Sequence, residues 1–194
     1  AGLTRVLAVD RGMSILHYDL DAARARVEAL DWVDQASINR LWPDAIHVDI
    51  NERRPIAIWQ LNREFMLIDH SGDVIASNHL SDFSALPHVV GNEAATAAAD
   101  LIKLLDGFPL IRSRVRAAIR VGGRRWNLRL DSGLDIKLPD TGEAPALRLL
   151  TELEKRHRLF ARDIKSVDLR VPERLFLELR SQGVVEIDES GLKT

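Results

Sequence analysis

The chain contains no cysteine. That excludes disulfide scaffolds, cysteine-ligated zinc and thiol nucleophiles. It leaves the compartment open, because a cysteine-free chain suits oxidising and reducing surroundings alike. No run of about 18 apolar residues occurs, so nothing in the chain reads as a membrane-crossing helix. A basic-then-apolar leader is missing, and so is an initiator Met, which reads as a processed or trimmed fragment. Excess charge of one sign is lacking as well. The 27 basic and 29 acidic residues leave a net charge of −2, which argues against a wholly basic nucleic-acid binder. What remains is ample: 194 residues, 46% hydrophobic, suit one sizeable domain or two small ones with a real core.

The periodicity is that of an α+β protein. Residues 19–30 read as a helix, with Asp19 as N-cap and Leu20, Ala23, Val27 and Leu30 as its apolar stripe. Ala36 and Ile38 suggest a strand, Trp42-Pro43-Asp44 a tight turn, and residues 45–51 a second strand with Ile46, Val48 and Ile50 on one side. After Arg54-Pro55 the pattern changes to strands at 56–59, 65–68 and 74–75, with a turn cluster at 69–73. A helix follows at 93–106, with Asn92 as cap and Gly107 as its end. Residues 115–121, 126–130 and 134–138 read as strands, the last two as a hairpin. A second long helix, 143–157, carries Pro145 in its first turn. Strands at 164–171 and 175–180 come next, and residues 181–194 form a polar tail expected to be flexible, in which Val184-Val185 could extend a sheet. Strands in consecutive hairpin-like pairs argue against a doubly wound parallel sheet.

Catalytic and metal signals are weak. The six His are scattered without metal-ligand spacing. Asp69-His70-Ser71 has the residues of a triad, but sequence neighbours do not hold triad geometry, and the composition is that of a turn. Gly122-Gly123-Arg124-Arg125 suits either an anion cradle or a bend between strands. Only Trp126 of the four Trp lies within the basic region, so a stacking platform for single-stranded nucleic acid is poorly supported.

Two features point to binding. Residues 107–130 hold seven Arg and no acid, so the net charge conceals a +7 block against −9 elsewhere. This is either a face for an acidic partner or a set of solvated strand positions. The final strand, 175–180, reads as an edge strand whose free N–H and C=O groups can accept another strand. Leu175, Leu177 and Leu179 would pack inward, with Phe176, Glu178 and Arg180 outward. An edge merely shielded by charge is the plainer reading.

Several phrases, in order, carry a resemblance. They are Leu30-Asp31-Trp32-Val33, Ala36-Ser37-Ile38-Asn39-Arg40, Trp42-Pro43-Asp44 and Val48-Asp49-Ile50-Asn51-Glu52-Arg53-Arg54-Pro55-Ile56-Ala57-Ile58-Trp59. Leu67-Ile68-Asp69 with Gly72, Arg124-Arg125-Trp126-Asn127-Leu128, Ile136-Lys137-Leu138 and Val167-Asp168-Leu169-Arg170 follow. Together they resemble the FtsQ/DivIB family of bacterial cell-division proteins, over nearly the whole chain.

The resemblance implies a POTRA domain over residues 1–53, lacking its first strand, then a mostly antiparallel β-domain with two helices over 54–180. It implies a non-enzymatic divisome scaffold without cofactor or metal, and no nucleic-acid partner. The full-length protein would be held in the inner membrane by one transmembrane helix, with this region in the periplasm at the septum. It would bind the FtsB–FtsL pair, link early and late division proteins and help regulate septal peptidoglycan synthesis. FtsB would add a strand at the C-terminal edge, formed here by Arg170, Val171, Leu175, Phe176, Leu177, Glu178 and Leu179. Arg124 or Arg125 would meet an acidic residue of that segment. The POTRA surface for upstream division proteins would include Ile38, Asn39, Arg40 and Trp42. Ser166 stands where many relatives place Tyr. The alternatives are a POTRA-type chaperone module of an outer-membrane assembly machine and a hydrolase with a dispersed site.

Overall fold

The computed structural model describes residues 2–9, 12–75, 80–172 and 174–180, and the backbone of 184–188 and 191–193. The N-terminal unit comprises helices α1 (Leu3–Leu7) and α2 (Leu20–Glu28) and an antiparallel pair, β1 (Val33–Leu41) and β2 (Ala45–Glu52). Asp19 caps α2 by accepting a bond from the Ala22 amide at 3.0 Å. The α2 stripe (Ala23, Val27) buries against Val33, Ala36 and Ile38 of β1, with Leu7 and Tyr18 closing the small core. The Trp42–Pro43 peptide at the hairpin tip is cis, and Trp42 is 64% exposed there.

The second unit is one sheet. Its strands are β3 (Ala57–Leu61), β4 (Glu64–Ile68), β5 (Val74–Ile75), β6 (His88–Val90), β7 (Val115–Val121), β8 (Arg125–Leu130), β9 (Asp135–Lys137), β10 (Ile164–Asp168), β11 (Leu175–Leu179), β12 (Val184–Asp188) and β13 (Gly191–Lys193). Helices α3 (Ala94–Asp106), α4 (Pro109–Arg112) and α5 (Glu143–His157) lie between them in the chain. The spatial order is β13-β12-β11-β10-β9-β8-β7-β6-β3-β4-β5. Most neighbours are antiparallel, but β3–β6, β6–β7 and β9–β10 run parallel. A parallel pair needs a crossover; α3 supplies it between β6 and β7, and α5 between β9 and β10. Hairpin-like pairs are therefore only part of the topology.

α3 and α5 cover one face of the sheet, burying Ala98, Leu101, Leu105, Leu147 and Leu150 against Trp126, Leu128, Ile136, Val167, Leu175 and Leu177. α3 begins at Ala94 rather than Glu93, because Glu93 itself takes a left-handed conformation at φ +59°. Gly72 is obligatory where the 69–73 turn meets α3. Its φ is +82°, and a Cβ there would stand 2.8 Å from the Thr96 Cα.

One expectation for the C-terminus is corrected. Residues 184–188 and 191–193 are strands, the first of them beginning at the Val184-Val185 run that could extend the sheet. β11 is consequently not the edge of the sheet, because β12 pairs along it from Leu175↔Ile187 to Glu178↔Val184. Val184–Asp188 supplies the backbone ladder that an edge strand leaves unsatisfied.

Candidate functional site: a groove beside strand β11

Strand register decides which side chains meet. Asn127 pairs with Lys137, Asp168 with Lys137, and Asp168 with Phe176. Paired residues share a face, and alternate residues face opposite sides. Trp126 and Leu128 lie under the helices, so Arg125, Lys137, Asp168, Phe176 and Glu178 share the face that no helix covers. At the upper end of this face lies a groove of about 630 Å³. It is lined by Arg125, Pro139, Asp140, Thr141, Asp168, Arg170, Val171, Pro172 and Phe176. Four of the residues expected to bind a partner (Arg125, Arg170, Val171, Phe176) thus meet in one place. An adjoining, more apolar groove of about 400 Å³ continues past Val171 and Pro172 to Ala146 and Leu149 of α5.

The charges in the groove are of two kinds. Asp168 accepts from the Arg170 amide at 3.1 Å and from its guanidinium, with Nε–Oδ1 at 2.8 Å. Burial alone would push the Asp168 carboxyl up. Bonds from Arg170 outweigh it and hold the group below the usual carboxylate range. Arg170 is thereby neutralised. Arg125 is half-buried and makes no ion pair or hydrogen bond among the described residues, so it is the cation open to a carboxylate from outside. Phe176 offers a half-buried ring beside it.

Arg124 is elsewhere. Its Nε sits 3.2 Å from Asp140 Oδ2, and it lines a separate groove with Trp126, Asp100 and Glu143, between α3 and α5. The Gly122-Gly123 turn is a bend between β7 and β8, with φ of +60° and +68°. A Cβ on Gly123 would stand 2.9 Å from Glu93 Oε2, so a carboxylate adjoins the turn, which disfavours an anion cradle.

The other expected positions divide. Glu178 faces out, bonded to Lys165 at 2.5 Å and to the Ser166 hydroxyl at 3.0 Å; the Lys165 bond, first of all, holds its carboxyl below the usual value. Leu175 and Leu177 are only 1% and 4% exposed, and Leu179 packs on the same core. They are core residues that could meet a partner only through the backbone, which β12 already pairs. In the N-terminal unit Ile38 is corrected from surface to core, at 8% exposure, because it pairs with Val48 on the face under α2. Arg40 is exposed but committed, donating to the carbonyls of Ile15 and Tyr18 at 2.9 Å. Asn39 and Trp42 are exposed.

The arginine block does not form one face. Arg112 pairs with Asp106, Arg124 with Asp140 and Arg129 with Asp135. Arg114 and Arg120 sit over the rings of Phe160 and Trp126, at 5.6 and 5.0 Å. Only Arg116 and Arg125 lack such a partner among the described residues.

A cluster absent from the sequence reading joins the two units. Arg53 donates through Nε to the Val33 carbonyl at 3.0 Å and through Nη1 to Asp69 at 2.5 Å and Asp73 at 3.1 Å. Asp69 is 1% exposed and also accepts from the Ser71 and Asp73 amides. Burial would raise its carboxyl; the Arg53 bond and the two amides hold it below the usual range. Trp32 lies 5.8 Å from Phe83, against the small cluster of Ile58, Leu67 and Ile75. Asp69 is thus a buried structural anchor. The Asp-x-Ser-x-Asp spacing of a turn, with Arg53 ahead of Pro55, was the available signal. Among the described residues no cluster of His, Asp and Glu could hold a metal ion, and no helix is long and apolar enough to cross a membrane.

Comparison with known proteins identifies the family. Residues 3–53 match the family model for the FtsQ-type POTRA domain, and residues 57–170 the model for the C-terminal part of cell division protein FtsQ/DivIB. The second match stops at Arg170, before β11. Cell division protein FtsQ of Rhizobium radiobacter is 40% identical over 94% of this chain and 86% of its own length. FtsQ of Agrobacterium fabrum is 40% identical over 94% of this chain and 57% of its own, and that of Bradyrhizobium diazoefficiens 41% over 91% and 52%. The chain thus spans little more than half of these last two relatives. The extracytoplasmic domain of DivIB from Geobacillus stearothermophilus aligns over 56% of this chain and 97% of its own, at 15% identity and a TM-score of 0.38. On the two family models and the 40% identity, the chain belongs to the FtsQ/DivIB family of cell-division proteins.

Proposed function

We propose that this chain is the periplasmic part of a divisome scaffold, anchored in the inner membrane by a helix outside it. It binds FtsB, with FtsL, at the C-terminal end of its β-domain. It carries out no catalysis; it links early and late division proteins and so helps regulate septal peptidoglycan synthesis. The observation that supports this reading is the convergence of Arg125, Arg170, Val171 and Phe176, from three separate segments, on one groove beside β11. An extended segment laid there would gain a carboxylate contact at Arg125 and an apolar contact at Phe176, with main-chain bonds where it takes a strand position on β11. The POTRA chaperone reading is not favoured, since one POTRA match is followed by a different domain. The test is a titration with the periplasmic segment of FtsB from the source bacterium. Phe176→Asp and Arg125→Glu should each weaken binding at least about tenfold, or 1.4 kcal/mol, with the circular dichroism spectrum unchanged. Unaltered affinity in both would refute the assignment.

A further inference from the structure

Resting on the strand-addition reading above, we propose that the partner strand takes the place of β12 on β11. The chain's own C-terminal hairpin is then a displaceable cover of the partner site.

Three observations carry this. First, the groove and the free ladder lie in different places. The groove is bounded by Phe176 of β11 and by Arg125, Asp168 and Arg170, whereas β13 ends the sheet. Strands are spaced about 4.8 Å apart, so a segment added outside β13 would run about 10 Å beyond the position beside β11. It could not combine strand pairing with the Arg125 and Phe176 contacts. Second, the cover is short: β12 has five residues and β13 three, and a two-stranded hairpin is marginal by itself. Third, exchange conserves the ladder. β12 pairs with β11 antiparallel over Leu175, Phe176, Leu177 and Glu178, and an incoming strand re-forms those bonds, so the balance is set by the contacts that the incoming side chains make with Arg125 and Phe176 in the groove. The inner layer is untouched, because Leu175 and Leu177 stay under α5 throughout. The hairpin lies beyond the part of the chain that the family model matches.

The chain lends itself to a direct test because it has no cysteine of its own. Glu178 and Val184 are cross-strand partners, and cross-strand Cα separations of about 4.5–5.5 Å fall within disulfide reach. The double variant Glu178→Cys with Val184→Cys, in the full chain, would staple the cover when oxidised and release it when reduced. The probe is the FtsB segment used above. The oxidised form should lose binding at least tenfold relative to its own reduced form. A chain ending at Arg180 should bind at least about tenfold tighter than the parent, as expected when the competent state is populated at about 10% or less. Equal binding by the oxidised and reduced forms would overturn the proposal and leave only two forms of the reading above: a partner in the groove without strand pairing, which Arg125→Glu and Phe176→Asp still weaken, or a strand added outside β13, which they do not. Failure of the parent and the shortened chain alike to bind would overturn both. If the reduced variant alone fails, the shortened chain decides: tighter binding supports displacement, and equal or weaker binding overturns it.

Discussion

The two ends of the large sheet use the same residue types in opposite ways. At the β4–β5 end Arg53 joins the buried Asp69 to the exposed Asp73, and Trp32 packs against Phe83 beside them. At the β11 end Arg125, Asp168, Arg170 and Phe176 line an open groove. A buried charge must be matched or it destabilises the fold, so the Arg53 cluster saturates its acids. A groove charge can be left unmatched because water solvates it at modest cost, and among the described residues Arg125 is left so. One end fixes how the POTRA unit meets the β-domain; the other keeps a cation and a ring available.

The largest effect is expected where the β11 end is as closed as the other. Leu177→Pro removes a ladder donor and a core side chain together and should cost about 4 kcal/mol or more. Urea unfolding would show it, and a loss of FtsB binding in this variant would reflect the damaged fold.

Next comes the junction. Asp69→Asn should cost about 3 kcal/mol, since it leaves Arg53 half-matched. The sign of its pH dependence is fixed by the carboxyl being held below its usual value. Its contribution is present above the unfolded pKa of about 3.9 and is lost as pH falls through the lower folded value. The wild type should therefore lose stability on acidification more steeply than the variant below about pH 4. Parallel curves in chemical unfolding at pH 2.5 to 6 would contradict the assignment.

The smallest effects separate the two neighbouring arginines. Arg125→Ala should weaken FtsB binding about tenfold with stability changed by less than about 0.5 kcal/mol. Arg124→Ala should do neither, because its partner is the exposed Asp140. Equal losses of binding in both variants would erase the distinction drawn from strand alternation.

Local periodicity made much of the fold legible. The α2 stripe, the β1–β2 hairpin around Trp42-Pro43, the α5 helix and the β8–β9 alternation all depend on neighbours in sequence. What was not legible depends on distant pairing. The parallel β6–β7 and β9–β10 neighbours follow from the crossovers made by α3 and α5. The seven-arginine block read as one feature, yet alternate strand positions send Arg120 under α3 and Arg125 to the open face. The resemblance puts Ile38 on the POTRA surface, whereas the register with Val48 turns it inward. Of the residues that the resemblance assigns to a partner, Arg125, Arg170, Val171 and Phe176 lie in one groove; Val184-Val185 reads as a run that could extend the sheet, but its pairing along β11 is a distant contact that the sequence does not specify.

The contrast between a closed end and an exchangeable end is tested most directly by amide hydrogen exchange on the full chain, with and without the FtsB segment. Binding should leave the 69–73 turn unchanged and keep Leu175–Leu179 protected while the amides of Val184–Asp188 lose protection. A gain of protection at Val184–Asp188 on binding would contradict it, because the partner would then be adding to the hairpin and not replacing it.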